Sequence, residues 1–240
     1  TIGLSYQFHS FIEVGANYYY RRGTEGLEFA TYGNTDKQYT SLIDYGGFYG
    51  MKEVFTSVGY TKKGEEKPMV NEFHGASMQL NLNLNTQFTW FNELTYKSRE
   101  GYYGKRSTAS IEYTTHNSDI MEYTGALSYK ERNNLHTLKV NTDYEKLENF
   151  ERIYRSEKQD NGSTAIVYYD KLRTVDRKAM NTQIEYTGNF GVEDFNPTWV
   201  LKASAHYFNK EQISSLYPYY RRQQIHSSTY SLSGNRNLVK

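Results

Sequence analysis

The residues with chemistry to offer are six histidines, 27 Asp and Glu, and two runs that set tyrosines beside arginines. The histidines are His9, His74, His116, His136, His206 and His226. No two of them have the HExxH spacing that puts a pair of ligands on one helical face, so zinc would need ligands brought from distant segments. Cysteine is absent, which removes thiolate metal sites, disulfides and a thiol nucleophile. Tyr18–Arg22 reads Tyr-Tyr-Tyr-Arg-Arg and Tyr217–Arg222 reads Tyr-Pro-Tyr-Tyr-Arg-Arg. Such runs can stack on sugars or aromatic ligands and clamp anions. They are more often the pattern of interfacial aromatics beside exposed loop charges, and that is the reading adopted for them. Asp44, Glu65, Glu66, Asp160, Asp170 and Asp176 could meet a cation at a surface, but without EF-hand spacing. Gly46–Gly50 lacks the lysine and the helix of a phosphate loop. No Ser/His/Asp arrangement can be assembled. The expectation is a protein that is not an enzyme and has no cofactor and no metal.

Whatever these residues do, β-strands must position them. Ile12, Val14, Ala16, Tyr18 and Tyr20 alternate with Glu13, Gly15, Asn17, Tyr19 and Arg21. That period of two marks a strand with unlike faces. The same alternation recurs at Ile2–Phe8, Ala76–Leu84, Phe88–Tyr96, Met121–Tyr129, Leu138–Tyr144, Met180–Tyr186, Trp199–Tyr207 and, more weakly, Tyr230–Leu232. About nine strands are predicted. Short connections fall at 9–10, 85–86, 131–134, 191–196 and 234–237; long ones fall at about 23–69, 101–118, 147–178 and 211–224. Strict alternation of short and long is the pattern of a meander whose two ends differ, as in a transmembrane barrel. Segment 23–69 holds two strand-like stretches, Leu27–Gly33 and Tyr39–Tyr49, and is expected to form an extracellular hairpin or lid, or to extend the barrel strands outward. Lys62–Pro68 reads as a solvated, mixed-charge tip.

Charge decides between a soluble sandwich and a barrel. The polar rows carry Glu13, Arg21, Glu93, Lys97, Arg99, Glu122, Lys130, Lys139, Asp143, Glu145, Glu185 and Lys202. The apolar rows carry no charge in their central spans. A charge on the lipid face at mid-bilayer costs roughly 2–4 kcal/mol, so a clean row is required there. The alternating stretches also run longer than ordinary sandwich strands of about 5–6 residues. The polar set Glu13, Arg21, Glu93, Lys97, Arg99, Glu122, Lys139, Asp143, Glu185 and Lys202 is therefore expected to line a lumen.

Aromatics cluster at the ends of the apolar rows. Phe88, Trp90, Tyr129, Tyr186 and Trp199 lie near the short turns; Tyr18, Tyr20, Tyr96, Tyr144 and Tyr207 lie near the long connections. Between them stand residues such as Ala16, Leu82, Val140 and Leu201. Two aromatic girdles around an aliphatic band suit two membrane interfaces. The reading is thus an all-β, antiparallel, up-and-down transmembrane β-barrel, with the short turns periplasmic. An odd count of strands is expected to be a partial slice of a larger barrel, because bacterial single-chain barrels have even counts.

Composition agrees. A 37% hydrophobic fraction offers no apolar run of about 18 residues, so no helix can span a bilayer. Aromatics at 16% exclude a disordered chain. A net charge of +1 gives no global field toward nucleic acid, and none is expected as a partner.

The stretch Tyr18–Phe29, the turn Tyr32-Gly33-Asn34-Thr35-Asp36 and Lys63–Pro68 resemble an uncharacterised outer-membrane β-barrel family of Bacteroidota, a neighbour of TonB-dependent receptor systems. The resemblance runs along most of the chain. It implies an outer-membrane location and a longer full-length barrel, and it assigns no functional residue. Three functions follow as expectations. The first is a component of nutrient uptake or surface transport, with a TonB-dependent receptor as a candidate partner. The second is a non-transporting barrel that anchors a partner protein or surface lipoprotein. The third is a membrane-embedded hydrolase. Outer-membrane lipid is the expected environment, against the alternative of a soluble all-β ligand-binding protein.

Overall fold

The computed structural model describes residues 1–27, 39–43, 51–55, 67–107, 110–193, 196–216 and 219–237. Their strands are β1 (Ile2–His9), β2 (Ile12–Leu27), β3 (Tyr39–Ile43), β4 (Met51–Phe55), β5 (Lys67–Asn83), β6 (Phe88–Ser107), β7 (Ser110–Glu131), β8 (Asn134–Lys158), β9 (Thr164–Glu193), β10 (Asn196–Leu216) and β11 (Tyr219–Arg236). Nine of them form one antiparallel sheet in the order β1-β2-β5-β6-β7-β8-β9-β10-β11. β3 and β4 pair separately as a hairpin. β1 and β11 are the open edges.

The turns at one end are local in origin. After β5, the Asn85 side-chain carbonyl accepts the backbone N–H groups of Gln87 and Phe88, both at 2.8 Å. This Asx arrangement reverses the chain without help from distant residues. Between β7 and β8 the reversal needs only Arg132 and Asn133, with Arg132 at φ 47. Two-residue hairpins demand such left-handed backbone.

The other end departs from the sequence-based expectation. The ranges read as long connections are mostly paired strand. β6 runs to Ser107 and β7 resumes at Ser110; β8 runs to Lys158 and β9 resumes at Thr164; β10 runs to Leu216 and β11 resumes at Tyr219. β9 alone is 30 residues long. The backbone ladder continues past the point where the apolar row stops, because ladder hydrogen bonds are indifferent to side-chain polarity. Alternation of polarity therefore predicts where a strand enters apolar surroundings, not where it ends. In segment 23–69, Tyr39–Ile43 pairs with Met51–Phe55 rather than with Leu27–Gly33, and β2 runs on to Leu27 while β5 starts at Lys67. Of the stretches singled out in the sequence, positions 28–36, 44–50, 62–66 and 217–218 lie outside the described residues.

Among the described residues the buried apolar side chains are Met69, Val70, Tyr103, Leu147 and Val175. All stand in the strand extensions beyond Tyr18, Tyr96 and Tyr144. Within the central span, the large apolar side chains are exposed instead: Leu4 at 82%, Met78 at 68%, Leu94 at 51%.

Candidate functional site

Register settles which side chains share a face, since directly opposed residues point the same way. One row runs Glu13, Asn81, Phe91, Ala126, Lys139, Glu185 and Ser204. Two steps up the strands lies Glu93 with Gln79, Thr124, Asn141, Gln183 and His206. Next come Glu122 and Asp143 with Thr95 and Asn181, then Lys97 with Ile120 and Glu145, then Arg21 and Arg99 with Ser118, Leu147, Arg177 and Gln212. Lys202 stands opposite Thr187 on the same face, below Glu185. The ten residues predicted to line a lumen thus lie on one face. The ten predicted belt aromatics, Tyr18, Tyr20, Phe88, Trp90, Tyr96, Tyr129, Tyr144, Tyr186, Trp199 and Tyr207, lie on the other.

The polar face is the shielded one. Ser77, Thr95, Ser118, His116, Asn149 and Gln212 are buried on it. Its charges form a network. Glu145 accepts hydrogen bonds from Arg99 at 2.5 Å and from Arg177 at 2.7 Å. Lys97 pairs with Glu122. Asp143 accepts from the Asn181 amide at 2.8 Å, and His206 bonds the same Asn181. Glu185 accepts from Gln183 at 2.7 Å. The cations also lie over rings: Lys97 at 6.0 Å from the Tyr19 centroid and Arg99 at 5.7 Å from that of Phe73. Of the predicted set, only Lys97, Arg99 and Glu122 form ion pairs among the described residues; Asp143 and Glu185 have amide partners alone.

Above Arg99 the face closes on a buried polar floor. His116 is 4% exposed, and its Nε2 donates to Asn71 Oδ1 at 2.7 Å. Burial first, and the nearby Arg99 guanidinium second, push its pKa down to about 3, so the imidazole is neutral. Its ring occupies the space beside Gly101, where a Cβ would stand 2.4 Å from Nε2. Asn149 Nδ2 donates to Thr174 Oγ1 at 2.7 Å. Higher still, buried Glu112 takes Arg106 and, at 3.6 Å, Arg152, while its N–H donates to the Tyr168 hydroxyl at 2.6 Å.

Arg177, His116 and Glu112 escape a reading that stops the strands at the aromatic row. The signal for Arg177 and His116 exists. Stepping by two from Glu185 through Gln183, Asn181 and Ala179 reaches Arg177, and from Glu122 through Ile120 and Ser118 reaches His116.

The Tyr18–Arg22 run does not form one stacking site. Tyr18, Tyr20 and Arg22 lie on the apolar side, with the Tyr18 hydroxyl 2.7 Å from His74 Nδ1 and Arg22 3.3 Å from Glu72; Tyr19 and Arg21 lie on the polar side. The other run has Arg222 on Glu211 at 3.0 Å. The histidines are dispersed: His136 bonds Tyr186 at 2.7 Å, His9 bonds Ser10 at 3.2 Å and His206 serves the Asp143 cluster.

One interruption of the apolar face is covered by a neighbouring ring. Gly125 interrupts a central row, and the Tyr123 ring lies over it, its hydroxyl donating to Asn92 Oδ1 at 2.8 Å.

These features define an all-β, antiparallel, up-and-down sheet of nine strands, not closed on itself, of the kind found in outer-membrane receptor barrels. The chain belongs to a family of unknown function, DUF6850, whose sequence profile matches residues 1–240. Among solved structures it is similar to the siderophore receptor PiuA of Acinetobacter baumannii, at 12% identity and TM-score 0.56, over 99% of this chain and 39% of the receptor. It is also similar to BauA, the ferric preacinetobactin receptor of the same organism, at 9% identity and TM-score 0.54, over 99% of this chain and 37% of that one. The chain thus spans well under half the length of either receptor. No curated protein matches it in sequence.

Proposed function

We propose that residues 1–240 are part of an outer-membrane β-barrel that takes up a nutrient or passes a solute, without itself being an enzyme. The observation that carries this reading is the inverted polarity of the sheet. In a water-soluble protein the shielded face is apolar and the exposed face polar. Here the shielded face carries the Arg99–Glu145–Arg177 cluster, and the exposed face carries Leu4, Met78, Leu94, Met121 and Tyr230. An exposed apolar band this extensive needs a partner, and lipid fits it on all strands at once. The aromatic rows put the short turns and the strand extensions on opposite sides of that band. The polar face would then line the solute path.

The fold likeness to siderophore receptors supports a barrel that handles a solute. The test is single-channel recording on the full-length protein in a planar bilayer. Discrete conductance steps are expected. A silent, inserted barrel would instead favour the anchoring role, which the extended β8–β9 hairpin also suits. That hairpin exposes Ile153, Tyr154, Tyr169 and Leu172 beyond the span.

A further inference from the structure

β8 and β9 carry two lysines directly opposite each other on the apolar face, Lys146 and Lys178. Like charges in that position repel. Both side chains are exposed, and neither has a hydrogen bond or ion pair among the described residues. The carboxylates around them are engaged elsewhere. Asp119, opposite Lys146 on β7, accepts from the Tyr96 hydroxyl at 2.6 Å. Glu211, opposite Lys178 on β10, accepts from Arg222 at 3.0 Å and Gln224 at 3.2 Å, and senses Lys178 only through space. One step farther out, Glu148 and Asp176 share Arg173 at 3.1 and 3.2 Å. Two lysines therefore leave directly opposed backbone positions on one face, flanked by Asp119 and Glu211 but hydrogen-bonded to neither.

Below them the same two strands change character in order. Tyr144 faces Met180, Thr142 faces Thr182, Val140 faces Ile184 and Leu138 faces Tyr186. Two residues separate the lysines from the Tyr144–Met180 pair, about 7 Å at the usual strand rise. The stripe is cationic at the headgroup level, aromatic at the interface and aliphatic below. A phosphate monoester carries about −1.5 to −2 charges, enough to neutralise both lysines.

Resting on the membrane reading above, we propose that Lys146 and Lys178 clamp the phosphate of an outer-leaflet lipid whose acyl chains run down the Tyr144–Leu138 and Met180–Tyr186 rows. The test uses the full-length protein, first shown to insert into liposomes, then held in maltoside micelles and titrated with diphosphoryl lipid A while its thermal midpoint is followed. Lipid A is expected to raise the midpoint of the wild type, and dephosphorylated lipid A to do so far less. K146Q/K178Q is expected to weaken the response about 30-fold, since each lysine near an anionic surface contributes about a factor of five. K146R/K178R should retain binding, and K158Q, at the hairpin tip, should bind as wild type. An inserted protein whose K146Q/K178Q variant responds as wild type overturns the clamp and leaves the barrel reading intact. An equal response to inorganic phosphate also overturns it, in favour of a soluble anion. A protein that never inserts overturns both readings.

Discussion

Glu145 serves two guanidinium groups on the shielded face, and its own side chain is 18% exposed. Glu145→Gln removes the one formal negative charge between Arg99 and Arg177. Leaving a charge without its partner in a shielded place is costly, up to about 3–5 kcal/mol where burial is deep, and less here because all three residues keep some solvent contact. If the polar face lines the solute path, E145Q should also move the reversal potential in a salt gradient toward anion preference. An unchanged reversal potential would place the cluster away from the conducting route. His116 makes a pH prediction. Its folded pKa of about 3 lies below the value of about 6.5 expected when unfolded. As pH falls, the unfolded chain takes up the proton first, so stability declines between about pH 6.5 and 3 and is fully present above that window. At about pH 5 the loss is at most on the order of 2 kcal/mol. H116Q, which can still donate to Asn71, should flatten the stability profile over about pH 4–7 in urea titrations; a profile as steep as wild type would assign the slope to other groups.

At the scale of elements, β8 offers a matched pair of substitutions one residue apart. Val140 faces outward, opposite Ile184, and Asn141 faces the polar side, opposite Gln183. Val140→Lys should cost about 2–4 kcal/mol in lipid vesicles, as for any cation at mid-bilayer. Asn141→Lys should change stability little. Equal costs for the two would contradict the assignment of faces. β6 is tight against both neighbours at Gly101, where an added Cβ would meet the Val70 carbonyl of β5 at 2.3 Å and the His116 ring of β7 at 2.4 Å. The carbonyl belongs to the backbone of a paired strand and has little room to yield. Gly101→Ala should therefore destabilise by about 1–3 kcal/mol, the usual range for overpacking, read as a lower thermal midpoint. Much of this was legible beforehand. The rows Ala76–Leu84 and Trp199–Tyr207 were plain strands because unlike surroundings force unlike faces. The extensions β8 to Lys158 and β9 from Thr164 were not, because Glu148, Asn149, Glu151 and Arg152 are polar on both faces and leave no alternation to follow.

At the scale of the whole molecule, both tryptophans report on one place. Trp90 and Trp199 are the only two in the chain, both outward and 40% and 49% exposed. Vesicles of lipids brominated along the acyl chain should quench most of the emission of the inserted full-length protein. Emission insensitive to bromine would mean that the apolar face meets something other than lipid. The open edges bear on the same scale. β1 and β11 each leave a row of backbone donors and acceptors unpaired, and exposed edges of that kind seek another strand. The chain spans 39% of the PiuA receptor and 37% of BauA.

Sequence alone determined the nine strands of the main sheet, its two faces and their contents, from Glu13 and Lys139 on one to Trp90 and Val140 on the other. It could do so because a strand alternates with a period of two and each side answers to a different medium. Only the tertiary structure decided which charges meet. Arg99 lies 46 positions from Glu145 and Arg177 lies 32 from it, and register alone brings the three together. It also decided that the ranges read as loops are strand, and that Lys146 stands opposite Lys178. Pairing across strands is a long-range choice, made by hydrogen-bond ladders that carry no trace in the local pattern of side chains.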